Sequence, residues 1–283
     1  ALRKDQMDGF RKNLYLQRSD TSRKDEFTGR FKINWEVNDK TDLNFLIMNI
    51  DLNDPADIWT IDGSLNTLSD KPGMDSQDTN AYGLKIFHRA KGFELQSLSS
   101  YSHSDVIFSY DADWGNPVTN APYVYDFFSE TIRSRKSINQ EIRVLSKRAD
   151  FDQGVRHEWV TGIYYLDIKE RNDRKDEGIY EDPFSGYPPY EVDFSSSSYY
   201  DSRNLAAFGH FEYLISTSAK VILGLRWEDW ESNYNDSYGE SFSPSNQMPV
   251  GKISLLKASH ETTNFYFSFG KGYKSGGFNV GLG

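Results

Sequence analysis

The feature that most constrains this chain is an alternation on two scales. Within short segments, apolar and polar side chains alternate with period two. Between those segments, the connections are by turns short and long.

From Phe27 to Trp35, the residues Phe27, Gly29, Phe31, Ile33 and Trp35 share one face, while Thr28, Arg30, Lys32 and Asn34 share the other. That period marks a strand with one apolar side. A turn at Val37-Asn38-Asp39-Lys40 leads to a second strand, Leu43 to Ile50, which alternates poorly. Further strands are predicted over 82–89, 93–102, 138–146, 159–169, 205–214, 221–230, 252–256 and 264–269. In 221–228, Val221, Leu223, Leu225 and Trp227 oppose Ile222, Gly224, Arg226 and Glu228. In 138–145, Asn139, Glu141 and Arg143 oppose Ile142 and Val144. Charges are costly to bury unpaired, so the second face needs water or polar protein.

Short connections fall at 37–40, 90–92, 215–218 and around Ser259-His260-Glu261, with a moderate one between 146 and 159. Long polar stretches occupy 51–79, 106–136, 170–200 and 233–249. Irregular loops beyond about 12–15 residues are uncommon in a compact soluble domain. A membrane barrel explains the pattern, because all of its short turns lie at one end and all of its long loops at the other. The predicted fold class is therefore all-β: an antiparallel, up-and-down transmembrane β-barrel segment with short periplasmic turns and long extracellular loops. The whole of 1–283 reads as one partial barrel domain.

Composition agrees. Charged residues make up 26% and aromatics 15%, with 18 Tyr and 19 Phe. A polar average rich in aromatics suits strands that alternate apolar-out with polar-in between two aromatic girdles. No apolar run is long enough for a transmembrane helix. Cysteine is absent, which excludes disulfides and thiolate metal sites. A net charge of −10 argues against nucleic acid as a partner. Ala1 opens no secretory signal, and both ends read as cuts within a longer protein.

No enzyme constellation is present. His88, His103, His157, His210 and His260 are scattered, and there is neither a nucleophile elbow nor a P-loop. No cofactor and no metal site are expected. Asp111 and Asp113 fall in a predicted loop and read as solvated acids rather than ion ligands. The 170–200 stretch is acidic in its first half, and its second half holds Tyr180, Phe184, Tyr187 and Tyr190. Such aromatics offer rigid contact area at low entropic cost, making these four the candidate ligand-binding residues. An outer shield contacting divalent ions and lipopolysaccharide is the alternative for the same loop.

The run Phe269-Gly270-Lys271-Gly272-Tyr273-Lys274-Ser275-Gly276-Gly277-Phe278-Asn279 resembles a barrel segment of TonB-dependent outer-membrane receptors. Three further stretches are similar to the same family: Ser100–Asp105 leading to Tyr110–Asp113, Gln140–Arg143 followed by Trp159–Tyr165, and Ala206–Phe211 leading to Gly224–Trp227. Lys274, Ser275, Gly276, Gly277, Phe278 and Asn279 are the motif residues. Gly276-Gly277 suits a loop base better than a ligand contact.

The resemblance implies the middle of a plugged barrel of about 22 strands, with the plug, the TonB-contacting segment and the last strands outside this chain. It implies a location in the outer membrane of a Gram-negative bacterium, among outer-membrane lipid and lipopolysaccharide. It also implies active uptake of a scarce ligand, most commonly a ferric siderophore, driven by the TonB complex through an N-terminal region. Cobalamin, haem or an oligosaccharide are alternative ligands. Arg226, Glu228, Glu141 and Arg143 would hold the plug. From another class, a passive porin-like barrel fits the same pattern, and an extracellular β-sandwich adhesin fits the strand count alone.

Overall fold

A computed structural model describes residues 1–60, 62–150, 153–260 and 263–274. The elements are β1 (Leu2–Met7), β2 (Lys12–Asn13), β3 (Lys24–Asn38), β4 (Thr41–Pro55), β5 (Asn66–Thr67), β6 (Met74–Arg89), β7 (Phe93–Asp111), β8 (Val124–Ser146), β9 (His157–Glu181), β10 (Tyr190–Ser216), β11 (Ala219–Asp236), β12 (Ser241–Phe242), β13 (Ser245–His260) and β14 (Thr263–Lys271). One antiparallel sheet runs β1-β3-β4-β6-β7-β8-β9-β10-β11-β13-β14, with β12 paired to β11; β2 and β5 form a separate parallel pair. Among the described residues no helix is long and apolar enough to cross a membrane. The all-β, up-and-down architecture is as the sequence implies.

Alternation sets the two faces. On the outer face, cross-strand rows are apolar over the middle of the sheet. One such row is Phe31↔Ile47↔Tyr82↔Tyr101↔Ile138, and another is Phe211↔Leu223↔Ile253↔Phe269. These side chains are exposed, Leu225 by 71%. An exposed apolar band of this extent needs a lipid environment rather than water. Aromatics edge the band. Tyr82, Tyr101, Tyr165 and Trp227 lie toward the long connections; Trp35, Phe93, Trp159 and Tyr213 lie toward the short ones. Tyr82 and Tyr101 stack at 6.3 Å. Phe93 and Tyr101 are about 26 Å apart along β7, close to the height of a transmembrane barrel's apolar belt.

The inner face is polar and pairs several of its charges. Arg226 lies 2.6 Å from Glu228, Lys220 2.6 Å from Glu212 and Arg89 2.5 Å from Asp42, and Arg143 bonds Glu141. The poor alternation of β4 also resolves here. Leu43, Phe45 and Ile47 face outward, and Leu46 faces inward against the space left by Gly83.

The long connections differ from expectation. Much of each is continued strand: β8, β9 and β10 have 23, 25 and 27 residues, well beyond the 9–11 or so that span a bilayer. The irregular parts shrink to 56–73, 112–123, 182–189 and 237–244. Polar residues with many serines hid these extensions, because neither face is apolar once the strand leaves the membrane.

Replacing Leu225 by Arg in the full-length protein is expected to cost about 2–4 kcal/mol, whereas Arg at inner-face Ser137 costs less than about 1 kcal/mol. Reversible guanidinium unfolding in lipid vesicles measures both, and equal costs would refute the assignment of faces.

Candidate functional site

Above the apolar band, on the side of the long connections, the strand extensions and the segments joining them build three features. The first is a charged wall. Arg133 and Arg135, two residues apart on β8, both face inward and share Glu170 of β9 at 3.7 and 2.5 Å. Glu170 is buried, while both guanidinium groups stay half-exposed. Two cations on one carboxylate leave a surplus positive charge on the wall. Arg174 lies beyond, 2.8 Å from Asp176 and 5.9 Å from the centre of the Phe194 ring.

The second feature is aromatic. Tyr180 and Tyr190 are direct cross-strand partners at the tip of β9 and β10. Tyr125 meets Tyr180 edge-on at 6.0 Å and Phe127 at 5.2 Å, and Tyr123 meets Phe184 edge-on at 6.4 Å. Tyr187 stands in the 182–189 turn, 80% exposed. The structure thus brings Tyr180, Phe184 and Tyr190 together with Tyr123, Tyr125 and Phe127 of β8 and its approach, on an open surface at the mouth.

The third feature is a folded cap over β6–β8. Trp59 packs at 5.3 Å on Tyr110 and stacks at 6.3 Å on Trp114. Beneath it lies a polar core. Asn13 Nδ2 donates to Asp57 (2.9 Å) and to the Ser69 carbonyl (2.7 Å), and Thr67 Oγ1 donates to Asp57 (2.6 Å). Gly73 is required here, since a Cβ would sit 1.8 Å from the Ser109 carbonyl oxygen. Asp111 and Asp113 are buried in this cap, which corrects their reading as solvated acids. Asp113 accepts Phe127 N at 2.7 Å and Gly115 N at 2.9 Å, and Asp111 accepts Asp113 N and Trp114 N at 3.1 Å. Loop backbone that would otherwise lack partners is satisfied by these carboxylates. Among the described residues no cluster of acidic and histidine side chains is arranged to hold a metal.

Within the barrel wall, Glu228 is 3% exposed and bonds Arg226 at 2.7 Å. Arg226 lies over the Tyr164 ring at 5.4 Å, and Asn139 donates to the Tyr164 hydroxyl at 3.1 Å. Ala206, between Tyr164 and Glu228 in register, is small enough to lie under this network. Tyr273 reaches back across β13 and donates to Glu228. The aromatic of the Gly-Tyr-Lys-Ser-Gly-Gly run is therefore an anchor. Lys274 is exposed. Ser275, Gly276, Gly277, Phe278 and Asn279 lie outside the described residues.

The family described as "TonB dependent receptor-like, beta-barrel" matches residues 2–283. The chain belongs to that family. Curated proteins give no match. Among solved structures, the ferric yersiniabactin uptake receptor FyuA of Yersinia pestis is 15% identical with a TM-score of 0.70, covering 94% of this chain and 40% of that one. The ferric citrate transporter FecA, unliganded, is 13% identical (TM-score 0.64; 95% and 38%), and the copper transporter OprC is 14% identical (TM-score 0.59; 95% and 40%). The chain thus spans about 40% of the first of these receptors, and at such identities the likeness concerns the fold.

Arg133, Arg135, Trp59, Trp114, Tyr123 and Tyr125 escaped the sequence reading. The only signal was the i, i+2 spacing of Arg133 and Arg135, legible once 124–136 is known to be strand.

Two expectations follow. Tyr273→Phe removes a hydrogen bond to a carboxylate and lowers stability by about 1.5–3 kcal/mol, measurable by guanidinium unfolding of the full-length protein. Asp111 lies ten positions beyond Tyr101, outside the apolar band. Burial, with the Asp113 carboxylate beside it, pushes its pKa up to about 6. Between the ordinary carboxylate range and about 6, the folded cap holds a proton that the unfolded chain has lost. The cap therefore loses stability as pH rises through that window and levels off above it. Hydrogen exchange of residues 56–73 and 112–123 should show faster opening at pH 7 than at pH 4.5, and Asp111→Asn should abolish the difference.

Proposed function

We propose that this chain forms part of the wall of an outer-membrane receptor of a Gram-negative bacterium that actively imports a ferric siderophore complex. The observation that carries the ligand class is the Arg133–Arg135 pair on the inner wall, left with surplus positive charge on the strand that also carries Tyr125 and Phe127 of the aromatic surface, with Phe127 about 20 Å along β8 from Arg133. A ferric complex of catecholate or hydroxycarboxylate donors is large, rigid and negatively charged. Guanidinium groups match its oxygens in a planar, multidentate way, and exposed aromatic rings match its flat apolar edges. Neutral oligosaccharides give the arginines no counter-charge. FyuA is a ferric yersiniabactin uptake receptor and FecA a ferric citrate transporter, which supports the reading; OprC, a copper transporter, shows that the fold does not choose the cargo.

No residue here performs covalent chemistry in this reading. The wall binds and positions; the Arg226–Glu228 and Glu141–Arg143 pairs give a plug a polar surface to pack on. Energy enters from the TonB complex through an N-terminal region outside this chain. Membership of a receptor family supports this reading over a passive pore.

Uptake of radiolabelled ferric siderophores by cells expressing the full-length receptor tests this. Accumulation should vanish without TonB. Arg133→Ala with Arg135→Ala should weaken ligand affinity by about tenfold or more, and removal of residues 182–189 should weaken it less. Unchanged affinity in the double variant would sink the anionic-ligand reading.

A further inference from the structure

Just beyond the Tyr82–Tyr101 edge, the outer face divides into an acidic half and a basic half. Asp51 of β4, Asp78 of β6 and Asp105 of β7 are consecutive partners in one cross-strand row, and all three are exposed. Like charges so opposed repel. Asp78 accepts the Asn80 amide at 3.1 Å, and Asp105 lies 3.4 Å from His103; among the described residues neither Asp51 nor Asp78 has an ion pair. On the other side of the β7–β8 boundary, Lys136 of β8 opposes Lys169 of β9, again exposed and again without an ion pair among the described residues. Other outward cations nearby are neutralised: Arg203 lies 3.5 Å from Asp167, and Arg171 lies 2.7 Å from Asp173.

Below the same boundary the apolar band is interrupted. Ser97 and Ser99 of β7 and Gln140 of β8 all point outward, with Ser99 opposite Gln140 in register. Gln140 donates to Ser97 at 3.1 Å and accepts from Ser99. Polar side chains within a membrane are costly and mark contact sites. The two serines are also short. Beside them the face has a hollow of about 610 Å³, lined by Leu84, Ser99, Tyr101, Ile138 and Gln140 among others.

Acid on one side of a line and base on the other is what a twofold contact requires, because each half then meets its opposite. Two copies in one membrane share its normal. A closed pair therefore has its axis along that normal, and each residue meets partner residues at its own depth. An axis between β7 and β8 sets β8 of one copy against β7 of the other, and β9 against β6. Strands of such a barrel tilt by about 40°. The aromatic edge follows the tilt: it passes from Tyr101 on β7 to Tyr165 on β9, one pair below Asp167, which lies in the row of Tyr101. Level for level, Lys136 then faces the partner's Asp105, and Lys169 faces the partner's Asp78. Lower down, Ile138 faces the partner's hollow and Gln140 faces the partner's Ser99.

We propose that the outer face of β6–β9 is an isologous interface at which a second copy of this chain docks, with its axis between β7 and β8. The charges select this occupant. An anionic lipid answers the lysines and leaves the aspartates, and a cation does the reverse; a second copy neutralises both at once. Two convex walls touch only along a strip, and the complementary residues fall within that strip. The proposal goes beyond the import reading and does not need it; it rests on the chain lying in a membrane with the long connections on one side.

The test uses the full-length receptor, free of other cysteines, in cells and in mild detergent. Ser134→Cys places a thiol on β8 beside the axis, and Ser195→Cys places one on β10 away from it. A short bismaleimide added to cells should link the first into dimers and leave the second monomeric. In the Ser134→Cys background, Asp78→Lys with Asp105→Lys should cut the linked fraction about tenfold or more, as should Lys136→Asp with Lys169→Asp. The two pairs combined should restore it, since the halves are again opposite. Native mass spectrometry of the same proteins should give dimer, monomer, monomer and dimer. Heat-modifiable migration on gels verifies folding; should a reversed pair not fold, the linking of Ser134→Cys against Ser195→Cys still decides. Equal linking at the two positions, monomer in wild type, or a dimer indifferent to both reversals overturns the interface while the membrane reading stands. A dimer that forms only with lipid A added replaces direct contact by a lipid bridge and overturns it too. Wild type missing from the outer-membrane fraction overturns the membrane reading and the interface with it.

Discussion

Everything in this structure depends on the lateral hydrogen-bond ladder. In hydrocarbon no water is available to backbone N–H and C=O groups, so each strand must pair with a neighbour on both sides. The sheet does this from β3 to β13 without interruption, in antiparallel register. Pairing then imposes alternation, since every second side chain must face lipid and the rest must face the interior. The outer row through Phe31, Ile47, Tyr82, Tyr101 and Ile138 and the inner pairs Arg226–Glu228 and Lys220–Glu212 are two consequences of one constraint.

The same ladder continues where the membrane ends. Strands β8 to β10 carry their pairing far past the aromatic edge, into a region where both faces are polar. There the inner face is free to serve recognition. Rigid strands, rather than loops, hold Arg133, Arg135, Tyr125 and Tyr180, which fixes their spacing by register. The cap above β6–β8 is stabilised differently, by buried Asn13, Asp57, Asp111 and Asp113 bonding loop backbone. Such a polar core is stable while its carboxylates have their donors, and its dependence on pH follows from the burial of Asp111 beside the Asp113 carboxylate.

Charge pairing separates the functional surfaces from the structural ones. On the inner wall within the membrane some cations and anions sit side by side, as in Arg226–Glu228 and Lys220–Glu212. Two groups of neighbouring cations lie beyond the aromatic edge. Arg133 and Arg135 share one acid on the inner side, and Lys136 and Lys169 face each other on the outer side. Adjacent residues of one strand, Arg135 and Lys136, thus point to opposite faces of the sheet, one inward and one outward.

Residues 221–228 and 138–145 displayed their two faces in the sequence because lipid on one side and polar surroundings on the other impose opposite chemistries at period two. The alternating lengths of the connections likewise followed from an up-and-down chain in a membrane. Lys274 to Asn279 carried the family resemblance. The extents of β7 to β11 were not legible, since serine- and charge-rich segments such as 190–204 have no apolar face once outside lipid; only pairing with neighbouring strands defines them. Register was equally hidden. No local pattern states that Tyr180 meets Tyr125, that Tyr273 reaches Glu228, or that Lys136 opposes Lys169. Those contacts join residues far apart in the chain, and tertiary pairing alone decides them.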